Sequence, residues 1–303
     1  MNTKEPSLTI TLPLLALLAA GCASADPVTF ASPDEAVRAL LDASDDPDLA
    51  DRLLGPGGFD MLRSGDEVAD REDIEAVREL IRQKVAFADA GTGRKVALLG
   101  SDGWELPIPL VAQEGRWAFD VEAGRDEILS RRIGRNELST IETLRALVDA
   151  QREYAAESRD GQPPAFARRL WSSAGRHDGL YWPAAEGTQQ SPMGPWVAEA
   201  SREGYARPDS RQSPYHGYYF RMLTGQGASA PGGARSYLDA SGRMTGGFAV
   251  LAWPASHGNS GVMTFLVNAQ GIVFQKDLGP DTEQLAAAVT VYDPDLSWTP
   301  TRD

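Results

Sequence analysis

Gly261-Val262-Met263-Thr264-Phe265-Leu266-Val267-Asn268-Ala269-Gln270-Gly271-Ile272-Val273-Phe274-Gln275-Lys276 is the stretch on which the fold class turns. Val262–Val267 and Ile272–Lys276 are rich in β-branched and aromatic residues, as strands are. Asn268-Ala269-Gln270-Gly271 between them reads as a hairpin connection, so the two runs pair antiparallel. Tyr218–Leu223 and Phe248–Trp253 have the same strand character. After the hairpin, Asp281 predicts the cap of a last helix running to Val289, with Gln284 completing a capping box. Before the strands, Arg125 to about Glu157 shows a long helical pattern. Its stripe is Leu138, Ile141, Leu144 or Arg145, Val148 and Tyr154. Gly134 is expected to break this helix and Asn136 to cap its second part. A helix followed by an antiparallel meander gives an α+β unit over residues 136–303.

Residues 30–135 form the first of two α+β units by the same reasoning, with residues 136–303 the second. Ser32-Pro33-Asp34-Glu35 is a helix start, with Val37, Leu40 and Leu41 on one face. Asp45-Asp46-Pro47-Asp48 and Gly55-Pro56-Gly57-Gly58 interrupt the chain. Asp73–Val85 predicts a helix with Ile74, Val77, Ile81 and Val85 on one face. Lys95–Leu99, Trp104–Val111 and Arg116–Val121 read as strands, and Pro107 and Pro109 push the middle one to an edge or a bulge. Within the 136–303 unit, after the helix that links the two, Asp160–Pro214 is rich in Pro, Gly and aromatics, with a helical hint at Val197–Glu203. A loop stretch of that length inside a domain is often functional.

The 303 residues include 29 basic and 43 acidic side chains, a net charge of −14. That balance excludes a nucleic-acid binder, which needs clustered Lys and Arg. The acid excess lies in the first unit: residues 23–138 carry −11 and residues 139–303 carry −3. One cysteine excludes internal disulfides, CxxC redox pairs and zinc knuckles.

That cysteine, Cys22, follows an uncharged apolar run, Leu8–Ala20, and the small residues Ala19, Ala20 and Gly21. The run has the length of a signal-peptide core and is too short to span a bilayer. The segment resembles the lipobox of bacterial lipoproteins. The resemblance implies that residues 1–21 are a signal peptide and that Cys22 carries a diacylglyceryl thioether and an N-acyl chain such as palmitate. Residues 22–29 then form a lipidated tether, and the membrane is the first expected partner. Ala23, in place of Asp, implies the outer membrane, facing the periplasm.

Catalytic motifs are weak throughout. His177, His216 and His257 match no local metal spacing, so loop histidines are the expectation and no metal or cofactor is assigned. Gly258-Asn259-Ser260-Gly261-Val262 lacks the final glycine of a nucleophile elbow and precedes a strand, so it reads as a turn. Gly225-Gln226-Gly227 and Gly232-Gly233 lack phosphate-loop spacing. The acids Asp45, Asp46, Asp48 and Asp51 fit no calcium-loop pattern. The aromatic loops remain: Trp171, Tyr181, Trp182, Trp196, Tyr205, Tyr215, Tyr218 and Tyr219. They suit either packing of a loop-rich domain or a contact surface for an envelope protein or glycan. His177, Asp178, Trp182, Tyr215, His216, Tyr218 and Arg221 are the candidate binding surface.

Helices followed by a curved antiparallel sheet resemble the cone of the nuclear-transport-factor-2-like superfamily, and the second unit resembles the globular part of pilins and pseudopilins. Longer motifs point elsewhere. Tyr215-His216-Gly217-Tyr218-Tyr219-Phe220-Arg221, Gly261-Val262-Met263-Thr264-Phe265, Ile133-Gly134-Arg135-Asn136-Glu137-Leu138 and His177-Asp178-Gly179-Leu180-Tyr181-Trp182-Pro183 are among those that resemble an exported bacterial family, domain of unknown function 2950. That resemblance covers nearly the whole mature chain and implies localisation and architecture without an activity. Three functions follow as expectations. The first is a non-enzymatic envelope lipoprotein with an aromatic interaction surface. The second is a small-ligand or saccharide binder using the cavity of the first unit. The third is a polysaccharide-acting enzyme. A deep apolar cavity behind Trp104 and Trp117 favours the second; a pocket joining His177, Asp178, His216 and Tyr218 favours the third.

Overall fold

Caps set the helices of the first unit. Ser32 Oγ accepts the Glu35 amide and Pro33 occupies the first turn, opening α1 (Pro33–Ala43). Asp46 and Pro47 repeat the device for α2 (Pro47–Leu54). The short α3 (Gly58–Met61) follows the glycine turn. Asp66 then caps α4 (Glu67–Gln83), accepting the Val68 and Ala69 amides. The computed structural model describes residues 28–185, 187–203, 205 and 214–302. The export segment and Cys22 lie outside the described residues.

Five strands follow: β1 (Val85–Asp89), β2 (Arg94–Leu99), β3 (Trp104–Glu105), β4 (Leu110–Gln113) and β5 (Arg116–Phe119). They pair antiparallel in the order β1-β2-β4-β5, with β3 beside β2. Val85 opens β1 and does not continue the helix before it: α4 stops at Gln83, and Val85 pairs with Leu99. The expected strand Trp104–Val111 divides in two, because Pro107 and Pro109 lack the amides a continuous ladder needs. Phe30 bridges to Trp117 and ties the start of the unit to β5.

Helix α5 (Val121–Ala155) is one continuous element of 35 residues. Gly134 lies inside it without breaking it, and Asn136 is an internal, buried residue, not a cap. The cost of one glycine, about 1 kcal/mol, is small against the packing of both ends of the helix. Val121 and Ile128 pack on the first core, around Val37, Leu54, Leu99 and Ile108. Leu144, Leu147 and Val148 enter the second core with Tyr218, Phe248 and Phe265.

The second unit adds α6 (Gly194–Glu203), β6 (Tyr218–Leu223), β7 (Gly225–Gln226), β8 (Arg235–Ser236), β9 (Ala249–Pro254), β10 (Met263–Asn268), β11 (Phe274–Asp277), α7 (Thr282–Ala288) and β12 (Thr299–Pro300). Its main sheet is antiparallel in the order β12-β11-β10-β9-β6, and β7 and β8 form a separate ribbon. Every residue of β9 is buried, as fits an inner strand between β10 and β6. Asp281 occupies the cap position of α7 but makes no side-chain capping bond. Thr282 Oγ1 instead donates to the Gly279 carbonyl. The whole is an α+β fold, with antiparallel sheets and helices.

Candidate functional site

Helix α4 has an apolar face that the core covers only in part. Its one fully buried side chain is Asp70, while Ile74, Val77, Leu80 and Ile81 are only half-buried. The helix is pinned at its ends. At the first turn, Asp70 Oδ1 accepts both the amide and the hydroxyl of Ser64. At the last turn, the Gly100 amide donates to the Leu80 and Lys84 carbonyls. Gly100 has φ +72°, a left-handed value that favours glycine, and a Cβ there would push on the Leu80 side chain.

Between these pins α4 roofs a cavity of about 490 Å³. Leu40 and Leu41 of α1, Leu106 and Ile108 beyond β3, and Ile128 of α5 complete its apolar lining. Trp104 stands among the lining residues and Trp117 does not. Cavities of this size and character are typical of small-molecule sites.

One face of α5 gives the cavity its charge. Ile128, Arg131, Arg132 and Arg135 follow the i, i+3, i+4, i+7 spacing of one helix face, and all four line it. Arg131 sits over the Trp104 ring at 5.5 Å and donates to the Glu105 carbonyl. Its Nε pairs with Glu127 at 2.7 Å. Arg135 makes a two-pronged pair with Asp73, which raises its pKa. Arg132 is buried and donates to Asn259 Oδ1 and the Met61 carbonyl. Burial lowers its pKa, opposed by the charges of Asp70 and Asp73.

The floor of this region is a junction with the second unit. Asn259 Nδ2 donates to the Ser64 carbonyl, and Asn136 Nδ2 to the Ser260 carbonyl. Glu137 accepts the amides of Val262 and Met263 at 2.9 Å each. Asp66 Oδ2 accepts the Tyr205 hydroxyl and the Gly217 amide. Burial and the Asp66 charge push the Tyr205 phenol well above its ordinary pKa.

The sequence-derived surface residues fall in several places. His177 Nδ1 lies 2.9 Å from Asp160 Oδ1, and its ring meets Trp182 edge-on at 4.6 Å. Asp178 accepts the amide and hydroxyl of Ser173. Trp182 is buried and donates Nε1–H to the Gln189 carbonyl. Tyr215 and His216 meet Tyr205 edge-on, and Trp196 joins Tyr215 at 4.6 Å. Tyr218 is fully buried and donates to the Met263 carbonyl. Arg221 donates to the Ala286 and Val289 carbonyls at the end of α7. His177 and Asp178 share a polar cleft of about 360 Å³ whose lining omits His216 and Tyr218. His257 pairs with Asp277. Among the described residues no group of three or more His, Cys, Asp or Glu side chains is placed to hold a metal ion. Ser260 is buried, and its hydroxyl exchanges bonds with Ser256.

Residue reading did not single out Arg131, Arg132 and Arg135 as cavity residues. Their spacing with Ile128 was the available signal. No helix among the described residues is long and apolar enough to cross a membrane. A family model described as "Protein of unknown function (DUF2950)" matches residues 28–301, and the chain belongs to that family. No curated protein and no solved structure matches it.

Proposed function

We propose that this member of the family is a non-enzymatic, envelope-tethered protein that binds a small amphipathic molecule in the cavity under α4. One observation carries the reading: a cavity of about 490 Å³ lined by Ile74, Val77, Ile81 and Ile108, with the first three side chains only half-buried by the protein. An unfilled apolar wall forfeits dispersion contacts, and an apolar ligand restores them. Arg131 and Arg135 line the wall and favour an anionic head group on that ligand, which would share or displace their pairs with Glu127 and Asp73. Helices packed on an antiparallel sheet, with a cavity among α1, α4, α5 and the segment from Trp104 to Ile108, also support the cone-like reading of the first unit. The pilin-like reading of the second unit stays a proposal of architecture alone. The tether rests on Leu8–Ala20 and Cys22, whose pattern supports a lipid anchor in a membrane facing the periplasm.

Laurate is a suitable probe, with an alkyl chain and a carboxylate. It is expected to displace anilinonaphthalene sulfonate from the protein and to change the fluorescence of Trp104. Ile74→Trp, which puts a bulky ring into the cavity, should weaken both effects while circular dichroism stays unchanged. Undiminished binding of the dye and of laurate by a folded Ile74→Trp variant would overturn the assignment.

A further inference from the structure

The polar cleft of the second unit is organised around His177. Asp160 sits in a tight turn at φ +49°, a backbone region that few residues other than glycine adopt. From there both of its carboxylate oxygens reach His177: Oδ2 accepts the backbone amide and Oδ1 the ring Nδ1–H, each at 2.9 Å. The Tyr154 hydroxyl donates to the His177 carbonyl at 2.6 Å, and Trp182 closes one side of the ring. A carboxylate on Nδ1 fixes the tautomer, so the neutral ring carries its lone pair on Nε2. Nε2 has no hydrogen-bond partner among the described residues. A half-exposed histidine held on three sides, with one nitrogen left over, is more ordered than packing requires.

The charges around it are unevenly committed. Asp160 is spent on His177, and its carboxyl is held below the usual range by the His177 amide. Asp178 is spent on Ser173, whose donors keep it ionised although burial works against them. Glu157 accepts from Gln189 and faces Arg159. The cleft's exposed arginines are not spent in this way. Arg168 donates only to the Gly242 carbonyl, and the Arg176 guanidinium has no hydrogen bond or ion pair among the described residues. The acids are satisfied within the protein, and the free donors are cationic.

We propose that this cleft is a second binding site, separate from the cavity under α4, for a small hydroxylated anion. Arg168 and Arg176 take its carboxylate or phosphate, and His177 Nε2 accepts a hydroxyl proton. A volume of about 360 Å³ suits a ligand the size of one sugar ring.

Titration with glucuronate, glucose 6-phosphate and neutral glucose tests the site. The readouts are the ring resonances of His177 and the fluorescence of Trp182. At least one of the two anions is expected to give saturable shifts in the millimolar range, and which one does so separates the carboxylate from the phosphate source. Glucose should give none. Combining Arg168→Ala with Arg176→Ala should weaken binding about tenfold or more, since both side chains are exposed and their removal leaves the fold intact. His177→Gln should weaken the hydroxylated anions while leaving acetate binding unchanged. Absence of saturation with both anions, equal response to glucose, or undiminished affinity in the double arginine variant would each overturn the proposal. Binding of laurate is read in parallel, so the fate of the cavity under α4 is judged independently.

Discussion

Arg135 holds Asp73 through two parallel bonds, Nη1 to Oδ1 and Nη2 to Oδ2, each 2.7 Å long. The pair joins α5 to α4 at the edge of the apolar cavity. Both side chains are about half exposed, so water and salt screen the attraction, and the pair contributes at most about 1 kcal/mol. Asp73→Asn is therefore expected to move the urea midpoint only slightly. It releases the Arg135 guanidinium for a ligand. Laurate should bind more tightly to this variant, and the matching neutral alcohol should bind as before. An equal change for acid and alcohol would show that Arg135 does not read the head group.

Two aliphatic truncations should behave differently. Leu144 is fully enclosed in the second core, and Leu144→Ala is expected to cost about 2–5 kcal/mol. Ile81 is half-buried and faces the cavity, so much of its surface has no protein partner to lose. Ile81→Ala should cost clearly less than Leu144→Ala in the same denaturant titration. It should also weaken laurate binding. A cost for Ile81→Ala equal to that for Leu144→Ala would mean that the cavity wall is packed in solution.

Local signals were legible where local physics decides. Ser32 with Glu35 fixes a helix start through neighbours in the chain, and α1 begins there; Asp46 with Pro47 reads only as an interruption, yet it caps α2. The strand runs around Tyr218 and Phe265 owe their composition to a buried antiparallel layer, and β6 and β10 fall within a residue of the expected bounds. Long-range packing hid the rest. Gly134 reads as a break by propensity alone, but the two cores at either end of α5 hold the helix through it. Val85 fits the helical stripe and a strand equally, and only pairing with Leu99 settles it. The cavity joins α1, α4, the residues around Trp104 and α5, which no spacing rule brings together. Asp160 and His177 are 17 residues apart, so their pairing had no motif to announce it.

His216 should give the protein a pH-dependent step near neutrality. Burial pushes its pKa below the ordinary 6.5, and the nearby Arg135 acts in the same sense. The charges of Asp66 and Asp73 oppose the shift without reversing it. The folded state therefore keeps the ring neutral. Above about pH 7 neither state is protonated there and the group contributes nothing to the pH dependence. As pH falls through 6.5 the unfolded chain binds the proton first, so stability declines until the folded pKa is reached. His216→Asn should flatten this part of the profile. Asn suits the site because residue 216 has φ +47°, which Asn tolerates. The measurement is the urea midpoint between pH 7 and pH 5, before Asp160 and Asp178 begin to titrate; an unchanged slope in the variant would assign it to another group.

Lipid attachment at Cys22 makes a separate prediction. More than one acyl chain holds a protein stably, at about 0.8 kcal/mol for each buried methylene. Cys22→Ser should move the protein from the membrane fraction to the soluble envelope fraction. Intact mass of the unmutated protein should exceed that of the chain from residue 22 by the added acyl groups. A free thiol at Cys22, or membrane fractionation that survives the substitution, would refute the tether.

Gly217 is the residue on which the junction between the units converges. Its amide donates to Asp66 Oδ2, the carboxylate that also caps α4 and receives the Tyr205 hydroxyl. Its φ of +73° is a left-handed value that disfavours any Cβ, and a Cβ there would lie 2.8 Å from both Asn136 Nδ2 and Ser260 Cβ. Gly217→Ala thus adds a steric clash to backbone strain, for a cost of roughly 2–4 kcal/mol. Gly115 supplies the control. It has a similar φ of +79°, but no atom lies within 4 Å of the added carbon. Gly115→Ala should cost only the conformational part, about 1 kcal/mol. The difference between the two isolates the packing of α5 against the Ser256–Gly261 turn. Because α4 is capped through the same Asp66, Gly217→Ala should also loosen the roof of the cavity and weaken laurate binding, which Gly115→Ala should leave alone. Equal costs at the two glycines would mean that the junction yields to the extra methyl, and that α4 is not held from that side.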